Sequence, residues 1–231
     1  MKNYKSYKAH KDSDDDLEVD SHLGYSERNK VSTLVSIYLD EPIKEAKYYR
    51  AVVDKVMSLQ EGDQVVYSIS SPGGDMQGMI SLIEANNNSG ADVLANIVGE
   101  CHSAASMFAL SCPNITVSPS ATMMVHHVTF GAGGKSSDVQ SQVKHTAEFC
   151  DNYFKDIYEG FLTESEIHLC IEHGKEIWML SDEIIERLHR RNEYFKNKTD
   201  KTDGEPLVYP PIEIEEEIIE KPKKNTKNKN T

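Results

Sequence analysis

Between residues 31 and 195 the chain alternates short apolar runs with stretches of helical period, the pattern of a sheet connected by crossover helices. LVSIYL at 34–39 predicts a first strand. Residues 43–59 then place Ala46, Tyr49, Val52, Val53, Val56 and Leu59 on one helical face. VVYSI at 65–69 predicts a buried strand, and after the turn SSPGGD comes a helix carrying Met79, Ile80, Leu82 and Ile83. VLANIV at 93–98 predicts a third strand ending at Gly99, with a small-residue buried helix from Ala104 to Cys112. Further strands are expected at 115–117 and 122–127. A long helix from about Ser137 to Leu162 repeats Val139, Val143, Ala147, Phe154, Ile157 and Phe161. Thr163 and Glu166 form a capping box for the next helix, and Gly174 is placed to end it. IWML at 177–180 predicts a last strand, before a closing helix over Asp182–Arg190.

The ends of the chain depart from this pattern. Residues 1–30 are polar and carry the acidic run Asp12–Asp16, and residues 196–231 run through the acidic EIEEEIIE into the basic KPKKNTKNKNT. Opposed charge blocks of this kind are expected to be solvated tails flanking one domain at 31–195.

Composition narrows the function classes. A formal charge of -13 opposes a general nucleic-acid binder, since a phosphate backbone would be repelled. No apolar run is long enough for a membrane span, and the start lacks the apolar core of a signal peptide, so the expected address is the cytoplasm. The four cysteines show neither CxxC nor zinc spacing and are expected as reduced thiols.

Three constellations carry candidate chemistry. Ser71-Pro72-Gly73-Gly74 follows a buried strand, where glycines present bare N–H groups of the kind an oxyanion hole needs; a plain tight turn explains it equally. Ser103 stands where the third strand gives way to a helix, close to a positive helix end; the competing reading is a helix cap. Met124-Val125-His126-His127 supplies histidines, the natural base for a hydroxyl nucleophile. A metal site at the pair is disfavoured, because neighbouring strand residues face opposite ways and no further ligand falls at a suitable spacing.

SSPGG, then G-x-x-x-S, then M-V-H, in this order, resemble the proteolytic subunit of the Clp protease and its phage-type relatives over about Val35 to Leu188. The resemblance implies an α/β fold, the crotonase/ClpP-like spiral of ββα units with a long handle helix. It also implies a serine endopeptidase acting on protein or peptide substrates within heptameric rings, stacked in pairs, in protein degradation or phage protein processing. No cofactor or metal is implied. AASM at 104–107 copies the family's letters and would nominate Ser106 as nucleophile. Ser103 instead keeps the family's interval from the strand-ending glycine, and its spacing from His126 is the closer match. The resemblance therefore assigns Ser103 as nucleophile, His126 as base, Glu176 at the place of the family's aspartate, and Gly73, Gly74 and Ala104 to the oxyanion hole.

Glu176 has a competing reading as a solvated strand-edge charge. The GAGG segment, with Gly133 and Gly134, resembles the strand that pairs with an extended substrate, or is a flexible loop. A Clp-type ATPase is the implied partner, and Ser68, standing where the family carries the tyrosine of the ATPase pocket, counts against it. The altered acid and docking residue also motivate an alternative, a catalytically inactive ring or scaffold protein of the same fold.

Overall fold

The computed structural model describes residues 7–8, 17–20, 25–28 and 32–201. Short strands β1 (Tyr7–Lys8), β2 (Leu17–Asp20) and β3 (Tyr25–Arg28) pair antiparallel in a small sheet of their own. The main sheet starts with β4 (Leu34–Leu39), as the alternation predicts. It continues through β5 (Gln64–Ser71), β6 (Asp92–His102), β7 (Asn114–Val117), β8 (Thr122–Val125) and β9 (Ile177–Leu180). Strand order is β4-β5-β6-β8-β9, with β7 also on β6; every pairing is parallel except that of β9 with β8. The crossovers are α1 (Arg50–Met57), α2 (Met76–Asn87) and α3 (Ala104–Ser111), followed by α4 (Ser136–Tyr158), α5 (Glu164–His173) and α6 (Ser181–Lys201). This is the ClpP-like α/β architecture.

Along β5 the inward residues Val65, Tyr67, Ile69 and Ser71 alternate with half-buried ones, and seven consecutive residues of α3, Ala104–Leu110, are buried. A helix apolar on all sides belongs inside the molecule. Tyr67 meets Phe108 edge-on, with ring centroids 4.7 Å apart. Burial of Phe154 and Tyr158, together with Phe161 just past the helix, brings the C-terminal end of α4 into the same core. All four cysteines are free and buried.

Several elements differ from their sequence-based boundaries, two of them for a clear tertiary reason. The predicted helix at 43–59 begins only with a 3-10 turn at Ala46–Tyr49, because Ile43 is held elsewhere. Its N–H donates to Gly73 O and its carbonyl accepts from Asp75 N, both at 2.8 Å. Strand β6 runs past Gly99 to His102. Its register against β5 jumps between the pairs Ile69↔Ile97 and Ser71↔Cys101, a bulge that lets β6 leave β7 and take β8 as neighbour. A Cβ on Gly99 would stand 2.5 Å from Ser70 Oγ, so a larger residue there would require the Ser70 side chain to turn away. The closing helix α6 continues to Lys201, past its expected end at Arg190.

The capping box predicted at Thr163 and Glu166 is formed, and Gly174 ends α5 in the left-handed conformation at φ 59°. Glu166 also receives both arms of the Arg187 guanidinium, at 2.7 and 2.9 Å. This fork holds the Glu166 carboxyl at about 2, well below its ordinary 4.5. A depressed acid lends stability that is present above its unfolded value and disappears as pH falls from about 4.5 towards 2. The full shift corresponds to about 3 kcal/mol, which screening by solvent at this partly exposed carboxylate reduces to roughly 1 kcal/mol. Arg187→Ala is thus expected to unfold at a lower temperature than the wild type at pH 6. Thermal melts should show that gap narrowing by pH 3.

Candidate active site

Ser103 is the single residue between β6 and α3, and its backbone is unusual. At φ 54° and ψ -124° it is the one non-glycine of positive φ among the described residues. Such a conformation costs about 1–3 kcal/mol and persists only where its surroundings over-determine it. Here the Ser103 N–H donates to Met124 O at 2.8 Å, and its carbonyl accepts from Ser106 N and Ser106 Oγ at 3.0 and 2.7 Å. The side chain does not cap the helix. Its hydroxyl meets His126 Nε2 at 2.7 Å instead.

Ser106, the other serine of the motif, is completely buried and shares a 2.6 Å hydrogen bond with Tyr158 OH. It faces the core rather than the surface that Ser103 and His126 share.

The glycine turn packs against this elbow. Gly73 has φ 91°, and a Cβ there would fall 2.5 Å from His102 O, 2.8 Å from Ser103 Cβ and 2.9 Å from Ala104 N. Its N–H turns back to Ser71 Oγ at 3.2 Å, and Ser71 Oγ in turn donates to Glu41 O. Gly74 lies in a parallel bridge opposite Ile43, with a hypothetical Cβ 2.3 Å from Ile43 O. In that bridge Ile43 bonds the residues on either side of Gly74, so Gly74's own N–H lies on the opposite edge. Ala104 begins α3, where unpaired amides concentrate positive potential.

His126 stands one residue beyond β8, which ends at Val125 rather than at the predicted 127. The structure brings it to Ser103 but does not bring Glu176 to it. The β8–β9 ladder ends at Val125↔Ile177, one step short of His126 and Glu176, which follow and precede it on facing strands. The Glu176 carboxylate nevertheless accepts from Trp178 Nε1 at 3.1 Å. Trp178 lies edge-on to His102, at 5.1 Å between centroids, and His102 Nε2 bonds Thr122 Oγ1 at 3.1 Å. Burial lowers the His102 pKa. No carboxylate pairs with His126 among the described residues.

An acid does approach the neighbouring histidine. His127 Nε2 lies 2.9 Å from Asp151 Oδ1 of α4, at ion-pair distance but off the line of a hydrogen bond. Sequence reasoning passed over Asp151, although a signal was present: it falls four residues after Ala147 and three before Phe154, a charge on the apolar stripe of α4.

Gly133 and Gly134 lie in the exposed connection between β8 and α4, outside any strand, with nothing within 4 Å of the place a Cβ would occupy. A cleft of about 740 Å³ at Leu162, Ile167, Ile171 and Tyr194 shares no residue with the Ser103–His126 pair. No group of His, Cys, Asp and Glu suited to a metal ion occurs among the described residues, and no described helix is long and apolar enough to cross a membrane.

A family model described as Clp protease matches residues 22–187. No curated protein matches the chain.

Proposed function

Because the chain belongs to the Clp protease family, we propose that it is a serine endopeptidase in which Ser103 attacks the substrate carbonyl and His126 is its base. The observation that carries this reading is the 2.7 Å approach of Ser103 Oγ to His126 Nε2 from a strained backbone at the start of a buried helix. A serine hydroxyl holds its proton at neutral pH and needs such a base. His126 takes that proton as Oγ bonds to the carbonyl carbon, then gives it to the departing amine. Water, activated by the same imidazole, releases the acyl group.

Negative charge on the tetrahedral oxygen faces the Ala104 N–H at the positive end of α3 and the outward N–H of Gly74, while Gly73 permits the close approach of the two segments. Glu176 is the third member in this proposal. Cross-strand neighbours stand about 5 Å apart, so rotation of its side chain away from Trp178 carries the carboxylate towards the free side of the imidazole. Gly133 and Gly134 border the substrate path. The chemistry requires neither metal nor cofactor.

Proteins or peptides are the substrates, the cytoplasm is the proposed location, and homo-oligomeric rings are the assembly. The part of α4 up to Phe149, with Val143 and Phe149 each about two-fifths exposed, suits the role of handle between rings. Ser68 stands against docking of a Clp-type ATPase.

A fluorophosphonate probe tests the reaction directly. Peptide mapping of the labelled wild-type chain is expected to place the adduct on Ser103. The second reading, an inactive ring or scaffold protein, is favoured by one observation, the Glu176 carboxylate bonded to Trp178. A chain that assembles into a ring and takes no label would establish that alternative.

A further inference from the structure

One face of α4 reaches beneath both Ser103 and His126. Asp151, Phe154 and Tyr158 are three and four residues apart and so share that face. Tyr158 is fully buried, and its hydroxyl holds Ser106 Oγ at 2.6 Å. Ser106 Oγ in turn contacts the carbonyl of Ser103 at 2.7 Å and that of Met124 at 3.4 Å. Asp151 Oδ1 lies 2.9 Å from Nε2 of His127, the residue after His126. Phe154 fills the space between these anchors, edge-on to His127 at 5.6 Å and against Tyr158 at 4.5 Å between centroids.

We infer that Asp151 and Tyr158 are positioning residues: Tyr158, through Ser106, sets the backbone of Ser103, and Asp151, through His127, sets the backbone that carries His126. The inference deepens the reading of Ser103 and His126 as nucleophile and base, and rests on it.

Both members of the pair need such support. The positive φ of Ser103 needs surroundings that hold it: its carbonyl accepts from the Ser106 and Met107 amides and also from Ser106 Oγ, which Tyr158 anchors from inside the core. His126 lies past the last paired residue of β8, so the ladder no longer fixes it. The next side chain, that of His127, meets α4, where Asp151 and Phe154 receive it. Displacing a reacting group by about 1 Å can cost on the order of a hundredfold in rate. Loss of one anchor while the other remains should cost less.

The experiment measures labelling of the full chain by a fluorophosphonate probe, separating the maximal rate from the probe concentration at half-saturation. In Asp151→Asn the maximal rate is expected to fall about tenfold with half-saturation unchanged. Asp151→Glu should recover most of the loss. Tyr158→Phe, which keeps the ring and removes only the hydroxyl, should lower the maximal rate roughly threefold. Thermal unfolding and oligomer mass should stay close to wild type in each case, a pattern that general loosening of the fold would not give.

Maximal rates within about twofold of wild type in both Asp151→Asn and Tyr158→Phe, with Ser103→Ala unlabelled, would overturn the inference and leave the proposed function standing. A wild-type chain that takes no label would overturn both. Should Asp151→Asn not fold, His127→Asn removes the same contact from the other side and is read in the same way.

Discussion

Ser103→Ala is expected to remove fluorophosphonate labelling entirely and to lower peptide hydrolysis by at least about a thousandfold, the scale seen when a nucleophile acting with a base is deleted. Ser106→Ala separates the two serines of the motif. It strands the Tyr158 hydroxyl in the core, a cost of about 1–3 kcal/mol, and should slow labelling without abolishing it, because Ser106 Oγ bonds Tyr158 and the Ser103 carbonyl rather than His126. Label on Ser106, or full labelling of Ser103→Ala, would refute the assignment.

The same position allows a second measurement. Ser103→Gly also deletes the hydroxyl, but glycine tolerates φ 54° without the steric cost that serine and alanine bear. The glycine variant should therefore be inactive yet more stable than the alanine variant by about 1 kcal/mol. A side chain retained at the expense of stability is what a functional elbow predicts, and an ordinary helix cap does not. Equal melting temperatures for the two variants would remove that argument.

Much of the scaffold was legible because it follows from local pattern. Strand β4 lies at 34–39 and β9 at 177–180, where apolar runs were bounded by polar residues. The Thr163–Glu166 box and Gly174 act within a single turn, so their chemistry is complete in the sequence itself. Ser103 and His126 were paired on motif order and spacing, and the structure brings them together.

What was not legible depends on contacts between distant segments. Nothing local to Ile43 says that it will clasp the glycine turn thirty residues on and thereby delay α1. Gly99 looked like the end of a strand because glycine often is; it serves instead as the point where β6 slides past Ser70 and changes partner. Glu176 matches a motif position, yet motif position fixes only its backbone, and the indole two residues on competes for its carboxylate. Asp151 stood in plain view as a charge on an apolar stripe, but its partner His127 is supplied by another element.

Gly73→Ala is expected to be nearly as damaging to activity as loss of the nucleophile, although it adds one methyl group. At φ 91° an L side chain is strained, a cost of about 1–3 kcal/mol before any contact is made. The new Cβ would also stand 2.5 Å from His102 O, 2.8 Å from Ser103 Cβ and 2.9 Å from Ala104 N. None of these is the far end of a flexible side chain, so relief requires the glycine turn and the elbow to separate. That movement carries Gly74 away from Ala104, the two amides proposed to face the oxyanion. Removing one such donor costs about a hundred- to a thousandfold in rate, and widening the gap between both should reach the upper part of that range.

The defect should appear in the maximal rate of acylation rather than in probe binding. Relief by movement of the turn also pulls on Ile43, whose N–H donates to Gly73 O, so the melting temperature should fall as well. Gly133→Ala provides the contrast: the loop there is open, with nothing within 4 Å of the added carbon, and the folded chain should melt as the wild type does. If Gly73→Ala acylates at the wild-type rate, the turn does not form one wall of the oxyanion site, whatever its resemblance to the family motif.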